Sequence, residues 1–197
     1  YKKLWDIVQS GELGKVQIIT MNFGSFKEYD MSNRFFNMNL AGGAMLDIGV
    51  YALSIVRSFL DEQPDEIVSQ WKPSPTGSDE QATILLKNAQ GQMATVALSM
   101  HSKQPKRAMI SLEKGYIEIM EYPRADKAVI VDAESGAQTE ITAGDTADAL
   151  YYEMQDMEQA VKSGDASAMQ LAYSRDVMEI MTKLRKDWGM KYPGEAW

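Results

Sequence analysis

The chain has 197 residues, 45% hydrophobic and 24% charged, with a net charge of -8, an ordinary globular composition long enough for a sizeable core. The acidic balance argues against nucleic acid as a partner, and with no run of 18 apolar residues no membrane is expected either. Zero cysteines exclude disulfides, thiol nucleophiles and thiolate metal sites and suit a reducing, cytoplasmic location.

Tyr1–Val8 reads as amphipathic helix already under way, with Tyr1, Leu4, Trp5 and Val8 on one face. Neither an initiator methionine nor a capping residue precedes it, so the expectation is a piece of a longer protein. A turn at Ser10–Gly14 leads into a β-branched strand, Val16–Phe23. The irregular stretch Gly24–Ala41 carries Tyr29, Asp30, Arg34, Phe35, Phe36 and Asn37; a loop of this length with aromatics suggests function rather than disorder. A helix is predicted from about Ala44 to Leu60.

Beyond it come strands at Glu66–Trp71, Gln81–Leu86, Met93–Met100, Arg107–Leu112 and Tyr116–Met120, with shorter ones near Ala128–Val131 and Gln138–Ile141. His101, the single histidine, follows the third of these and reads as a strand-end residue without assigned chemistry. It rules out a two-histidine zinc site, and no metal is expected. Two helices close the chain, roughly Thr146–Lys162 and Ser167–Asp187. Leu150, Tyr151, Met154, Met157 and Val161 are expected as the core stripe of the first, and Tyr173, Val177, Ile180, Met181 and Leu184 as that of the second. Consecutive strands with segregated helices predict an α+β domain: a large open, mostly antiparallel sheet with helices on one face. The other face would need another chain or domain to cover it.

The most informative run is AGGAMLDIGVY, residues 41–51. Asp47 and Tyr51 are four apart and so share one helix face, and Ser54 and Ser58 continue that polar seam. Gly49 lies between two apolar sides, where a missing Cβ permits close packing. Spacing leaves two readings open. Asp47 could be a first-turn acid favoured by the helix dipole, with Tyr51 a core tyrosine. Alternatively, Tyr51 could exchange a proton with a carbinol or carbonyl oxygen while Asp47 orients a substrate hydroxyl. A phenol ordinarily ionises near pH ~10, so efficient base chemistry would need a neighbouring cation. No lysine lies within a turn of the seam, and Arg34 is the candidate from the nearby loop. The pair Gly42-Gly43 would allow a ligand to approach the backbone, or serve an ordinary tight turn.

The stretch AGGAMLDIGVYALSIVRSFL resembles the site helix of the Gfo/Idh/MocA oxidoreductases, which reads GGG-x-L-x-D-x-G-x-H/Y. Val8–Val16 is similar to the segment that leads that family into the first strand of its C-terminal domain, and Trp188–Pro193 to its usual close. Tyrosine at position 51 is similar to the branch of glucose–fructose oxidoreductase and dimeric dihydrodiol dehydrogenase. The resemblance implies that residues 1–197 are a single C-terminal substrate-binding and oligomerisation domain, and that an N-terminal Rossmann domain binding NAD or NADP is missing. It implies hydride transfer between nicotinamide and a sugar, polyol or related alcohol in the intact protein, and an inactive fragment. Tyr51 would be the acid/base group and Asp47 the substrate-orienting acid. Arg34 and Tyr29 would add substrate contacts, and Gly42 and Gly43 would lie near the cofactor. The lysine that assists catalysis would come from the missing domain, supplying the absent cation. Ala41 stands where many relatives carry a third glycine. A homodimer or homotetramer through the open sheet is expected. The alternative is a non-catalytic ligand-sensing or protein-interaction module on the same scaffold.

Overall fold

The computed structural model describes residues 1–196. It opens with helix α1 (Lys2–Gln9), strand β1 (Val16–Gly24) and a long loop that ends in one 3-10 turn, Met38–Leu40. A π turn, Met45–Gly49, runs directly into helix α2 (Val50–Phe59). Seven further strands follow: β2 (Glu66–Pro73), β3 (Asp79–Lys87), β4 (Met93–Ser99), β5 (Gln104–Leu112), β6 (Gly115–Met120), β7 (Lys127–Asp132) and β8 (Gln138–Thr142). Helices α3 (Ala149–Ser163) and α4 (Leu171–Asp187) close the fold.

All eight strands form one sheet in the order β2-β3-β4-β1-β5-β6-β7-β8. Only β1 and β4 pair in parallel; every other neighbouring pair is antiparallel, and all of these but β1–β5 join consecutive strands, as the hairpin-spaced turn signals predict. β1 therefore sits mid-sheet, inserted between two strands that follow it by many residues.

Two adjacent rows of side chains show what the sheet does. Ile67, Leu86, Ala94, Ile19, Ile110, Ile117 and Ile130 are in register across seven strands on the face beneath the helices. Of these, Ile19, Ile110 and Ile117 have no exposure at all. One residue along each strand, Val68, Leu85, Thr95, Thr20, Met109, Glu118 and Val129 form the next row, on the opposite face. Here Val68 and Leu85 are 64% and 51% exposed, and no helix covers them. The sheet is thus open on one side, as expected, because successive side chains alternate faces and only one face has helices to meet.

On the covered face α2 packs across β1, β4 and β5, and α4 packs on α2. Gly49 allows this approach: a Cβ there would come within 2.9 Å of Leu98 Cδ1 and 3.0 Å of Met45 Sδ. The two helices are also joined by a buried ion pair, Arg57 Nε to Asp176 Oδ2 at 2.7 Å, with Arg57 stacked over the Tyr173 ring. The 22-residue stretch Met38–Phe59, mean hydropathy 1.4, is apolar and long enough to cross a membrane. More than half of its most apolar window is buried in this domain, and its path breaks at left-handed Ala41.

The expected stripe of α4 is in place, with Val177, Ile180, Met181 and Leu184 buried and Tyr173 half-buried. The expected core stripe of α3 is not. Leu150, Tyr151, Met154, Met157 and Val161 are 50–75% exposed, and Ala160 is the one buried residue of that helix. The periodicity correctly marks an amphipathic helix, but its apolar side points away from the sheet.

Candidate active site

The loop after β1 and the π turn before α2 bring the seam to an open cleft of about 820 Å³. Its walls include Phe23 from β1, Lys27, Arg34 and Phe35 from the loop, and Asp47, Ile48 and Tyr51 from the site helix. Lys106, Glu118, Met120 and the segment Pro123–Val129 close the far side. Asp47 and Tyr51 therefore share one cavity, although the helix does not have the uniform 3.6-residue period from which their shared face is predicted. A π turn holds residues 45–49; such turns are rare and frequently accompany functional sites.

Tyr51 is not a buried core tyrosine: it is 47% exposed, with its ring tilted against Phe23 at 6.3 Å between centroids. Asp47 is partly covered, and Arg34 Nη1 donates to its Oδ1 at 2.5 Å. Arg34 is in turn seated over the Phe35 ring, which Lys27 Nζ also approaches at 4.3 Å. The loop cation sought for the Tyr51 phenol is thus paired with Asp47 instead. Of the seam serines, Ser58 donates to the Ser54 carbonyl at 2.7 Å and is taken up within the helix.

Tyr29 is placed elsewhere. Its hydroxyl donates to Glu80, its ring stacks on His101 at 4.0 Å, and it lines no part of the cleft. Burial pushes the Glu80 carboxyl up, but hydrogen bonds from Lys72 and Tyr29 and the Lys72 charge outweigh it and hold the group below the ordinary carboxylate range. Tyr29 anchors the loop from behind, and His101 helps it through Nδ1, 2.7 Å from the Lys27 carbonyl oxygen.

Gly42 and Gly43, expected near the cofactor, also stand outside the cleft. Both are buried, and their backbone groups are used internally: Gly42 N–H donates to Asn37 O, Gly43 N–H to Phe35 O, and Gly43 O accepts from Asp47 N–H. A Cβ at Gly42 would lie 2.6 Å from the Arg34 carbonyl oxygen, and Gly43 adopts φ +132°, which L side chains rarely take. Among the described residues no group of three His, Cys, Asp or Glu side chains is arranged to hold a metal ion.

Sequence reasoning missed Lys27, Phe35, Lys106 and Arg124 as cleft residues. Lys27 and Phe35 lie in the loop flagged by its length, but only the folded path shows which side each faces. Lys106 arrives through the register of β5 and Arg124 from the 3-10 turn Tyr122–Arg124 between β6 and β7, and neither placement carries a local signal.

The family model of the GFO/IDH/MocA C-terminal domain matches residues 1–118. The chain belongs to the GFO/IDH/MocA family. Among curated relatives, the trans-1,2-dihydrobenzene-1,2-diol dehydrogenase of Xenopus laevis is 26% identical over 98% of this chain and 60% of its own length. The mouse enzyme of that name is 24% identical over 96% and 59%. The fold is also that of a single-residue mutant of a 3-ketoreductase from Actinomadura kijaniata, solved in complex with TDP-benzene and NADP. That match has a TM-score of 0.76 and 18% identity, over 94% of this chain and 57% of the other. The chain therefore spans about 60% of the length of the curated relatives it matches.

Proposed function

We propose that this domain supplies the substrate side of the active site of an NAD(P)-dependent oxidoreductase acting on a sugar, polyol or related alcohol. The observation that carries the reading is the meeting of Asp47 and a solvent-accessible Tyr51 in one cleft, on a helix otherwise buried in the core. Bound nicotinamide supplies or accepts the hydride. No backbone group of Gly42 or Gly43 is left to cradle a dinucleotide, so we place the dinucleotide site in the part of the relatives' length that this chain does not span.

In this reading the Tyr51 phenol donates a proton to a carbonyl oxygen or takes one from a carbinol. Asp47, pinned by Arg34, keeps its remaining acceptor positions for a substrate hydroxyl. Phe23, Phe35 and Ile48 give the cleft an apolar surface against which a sugar ring can lie. The chain alone is then inactive. The open sheet row containing Val68 and Leu85 pairs with a second copy, giving a homodimer or homotetramer.

The test is Tyr51→Phe in the full-length protein. Removing the proton-transfer group should lower kcat by about 10²–10⁴-fold while leaving dinucleotide affinity unchanged. An unchanged kcat removes the assigned role. Turnover of NAD(P)H by the 197-residue chain alone would equally count against the division of labour.

A further inference from the structure

The turn that begins the site helix is held from behind by residues far away in the chain. Tyr192 Oη donates to the Gly42 carbonyl oxygen at 2.7 Å, in a buried contact. Asp79, the first residue of β3, is wholly buried, and its Oδ2 accepts the Met45 N–H at 2.5 Å. Its other oxygen lies against Gly43, where a Cβ would stand 1.9 Å from Oδ1. Gly43 is therefore glycine because Asp79 is there.

The helix needs this help. Ala44 precedes the π turn and offers no side-chain cap, so the Met45 amide has no acceptor from its own turn. Asp79 supplies that acceptor from another element, and its carboxyl stands at the positive end of the helix dipole. Burial pushes the Asp79 carboxyl up to about 7, against the opposing effects of the Met45 N–H and the charge of Arg185. Tyr192 is fixed in turn: Glu195 Oε2 accepts its N–H at 2.9 Å, Glu195 takes both 2.8 Å and 2.9 Å contacts from Arg185 Nη1, and the Arg185 guanidinium lies 4.8 Å from the Tyr192 ring. The segment after α4 thus straps onto the turn.

On its other side the same turn sets the cleft. Gly43 O accepts from Asp47 N–H at 3.3 Å, and the Arg34 carbonyl presses on the space beside Gly42. We infer that Asp79 and Tyr192 are positioning residues for the reaction, holding the Gly42–Met45 turn so that Asp47, Arg34 and Tyr51 meet in the cleft. Neither lines the cleft, so neither touches substrate. This inference rests on the functional reading of Asp47 and Tyr51 given above.

The experiment compares Tyr192→Phe, Asp79→Ala and Asp79→Asn with the unmodified full-length protein, by amide hydrogen exchange and steady-state kinetics. Tyr192→Phe leaves the Gly42 carbonyl unpaired and Asp79→Ala leaves the Met45 amide unpaired, so exchange across residues 42–47 should quicken about tenfold in both while β1 and β5 keep their rates. Turnover should fall about tenfold at unchanged dinucleotide KM, a part of the loss that misplaced groups cause. Asp79→Asn retains an acceptor for Met45 and should restore most of both. Unchanged exchange at 42–47, or faster exchange spread evenly through the sheet, overturns the inference. Should Asp79→Ala not fold, Tyr192→Phe decides alone. Tyr51→Phe in parallel separates the two claims. Full turnover there defeats the functional reading, whereas full turnover in Tyr192→Phe beside an impaired Tyr51→Phe defeats the positioning role.

Discussion

Helices α3 and α4 look alike as sequence and behave differently as structure. Each has apolar residues at helical spacing, and each uses methionine within that stripe. In α4 the stripe is buried against α2, with Leu184 fully buried and Asp176 joined to Arg57. In α3 the stripe faces outward, and the helix is tied down by contacts such as the exposed Lys2–Asp156 ion pair and by its own flanking turns. Periodicity reports that a helix has two kinds of face. It does not report whether a second surface is present to meet the apolar one.

This contrast predicts a steep gradient of mutational cost, read as urea midpoints of the 197-residue chain. Asp176→Ala should be the most damaging, at about 4 kcal/mol, because it leaves the Arg57 guanidinium buried without its carboxylate. Leu184→Ala should cost about 3 kcal/mol, through lost apolar burial and the cavity left between α4 and α2. The double change Met154→Ala and Met157→Ala should stay within about 0.5 kcal/mol, since both side chains are already largely in water. Equal costs in the two helices would break the comparison; a neutral Asp176→Ala would reduce the α2–α4 junction to its apolar contacts.

The same distinction explains how much of the molecule was legible beforehand. Alternation and turn residues revealed the strands, since those signals are local, and the uncovered face followed from counting helices. Placing β1 beside β4 in parallel was not legible, because register across a long separation leaves no trace in either strand. At the site, the spacing of Asp47 and Tyr51 put them on one side of their helix but left open whether that side was core or cleft, and Arg34 was named from its place in a long loop. Tyr29 was misplaced because an aromatic in a loop can face either side, and here Glu80 and His101 draw it backward. The glycine pair was read either as a place where a ligand approaches the backbone or as an ordinary tight turn. That their space is filled by Asp79 and by loop backbone could not be read without the fold.

The mid-sheet position of β1 also orders the way this chain acquires its structure. Ile18 pairs with Met93 on one side and Ser111 on the other, so β1 has no strand partner until β4 and β5 exist. Because synthesis proceeds from the N-terminus, β1 and the cleft loop behind it wait in the nascent chain while the β2–β3–β4 meander is made. Closing those long loops is an entropic cost met before the central contacts repay it, which slows folding relative to a simple meander. α4 and the strap that carries Tyr192 and Glu195 are made after all eight strands, so the turn bearing Asp47 is secured only once the strands of the sheet have been synthesised.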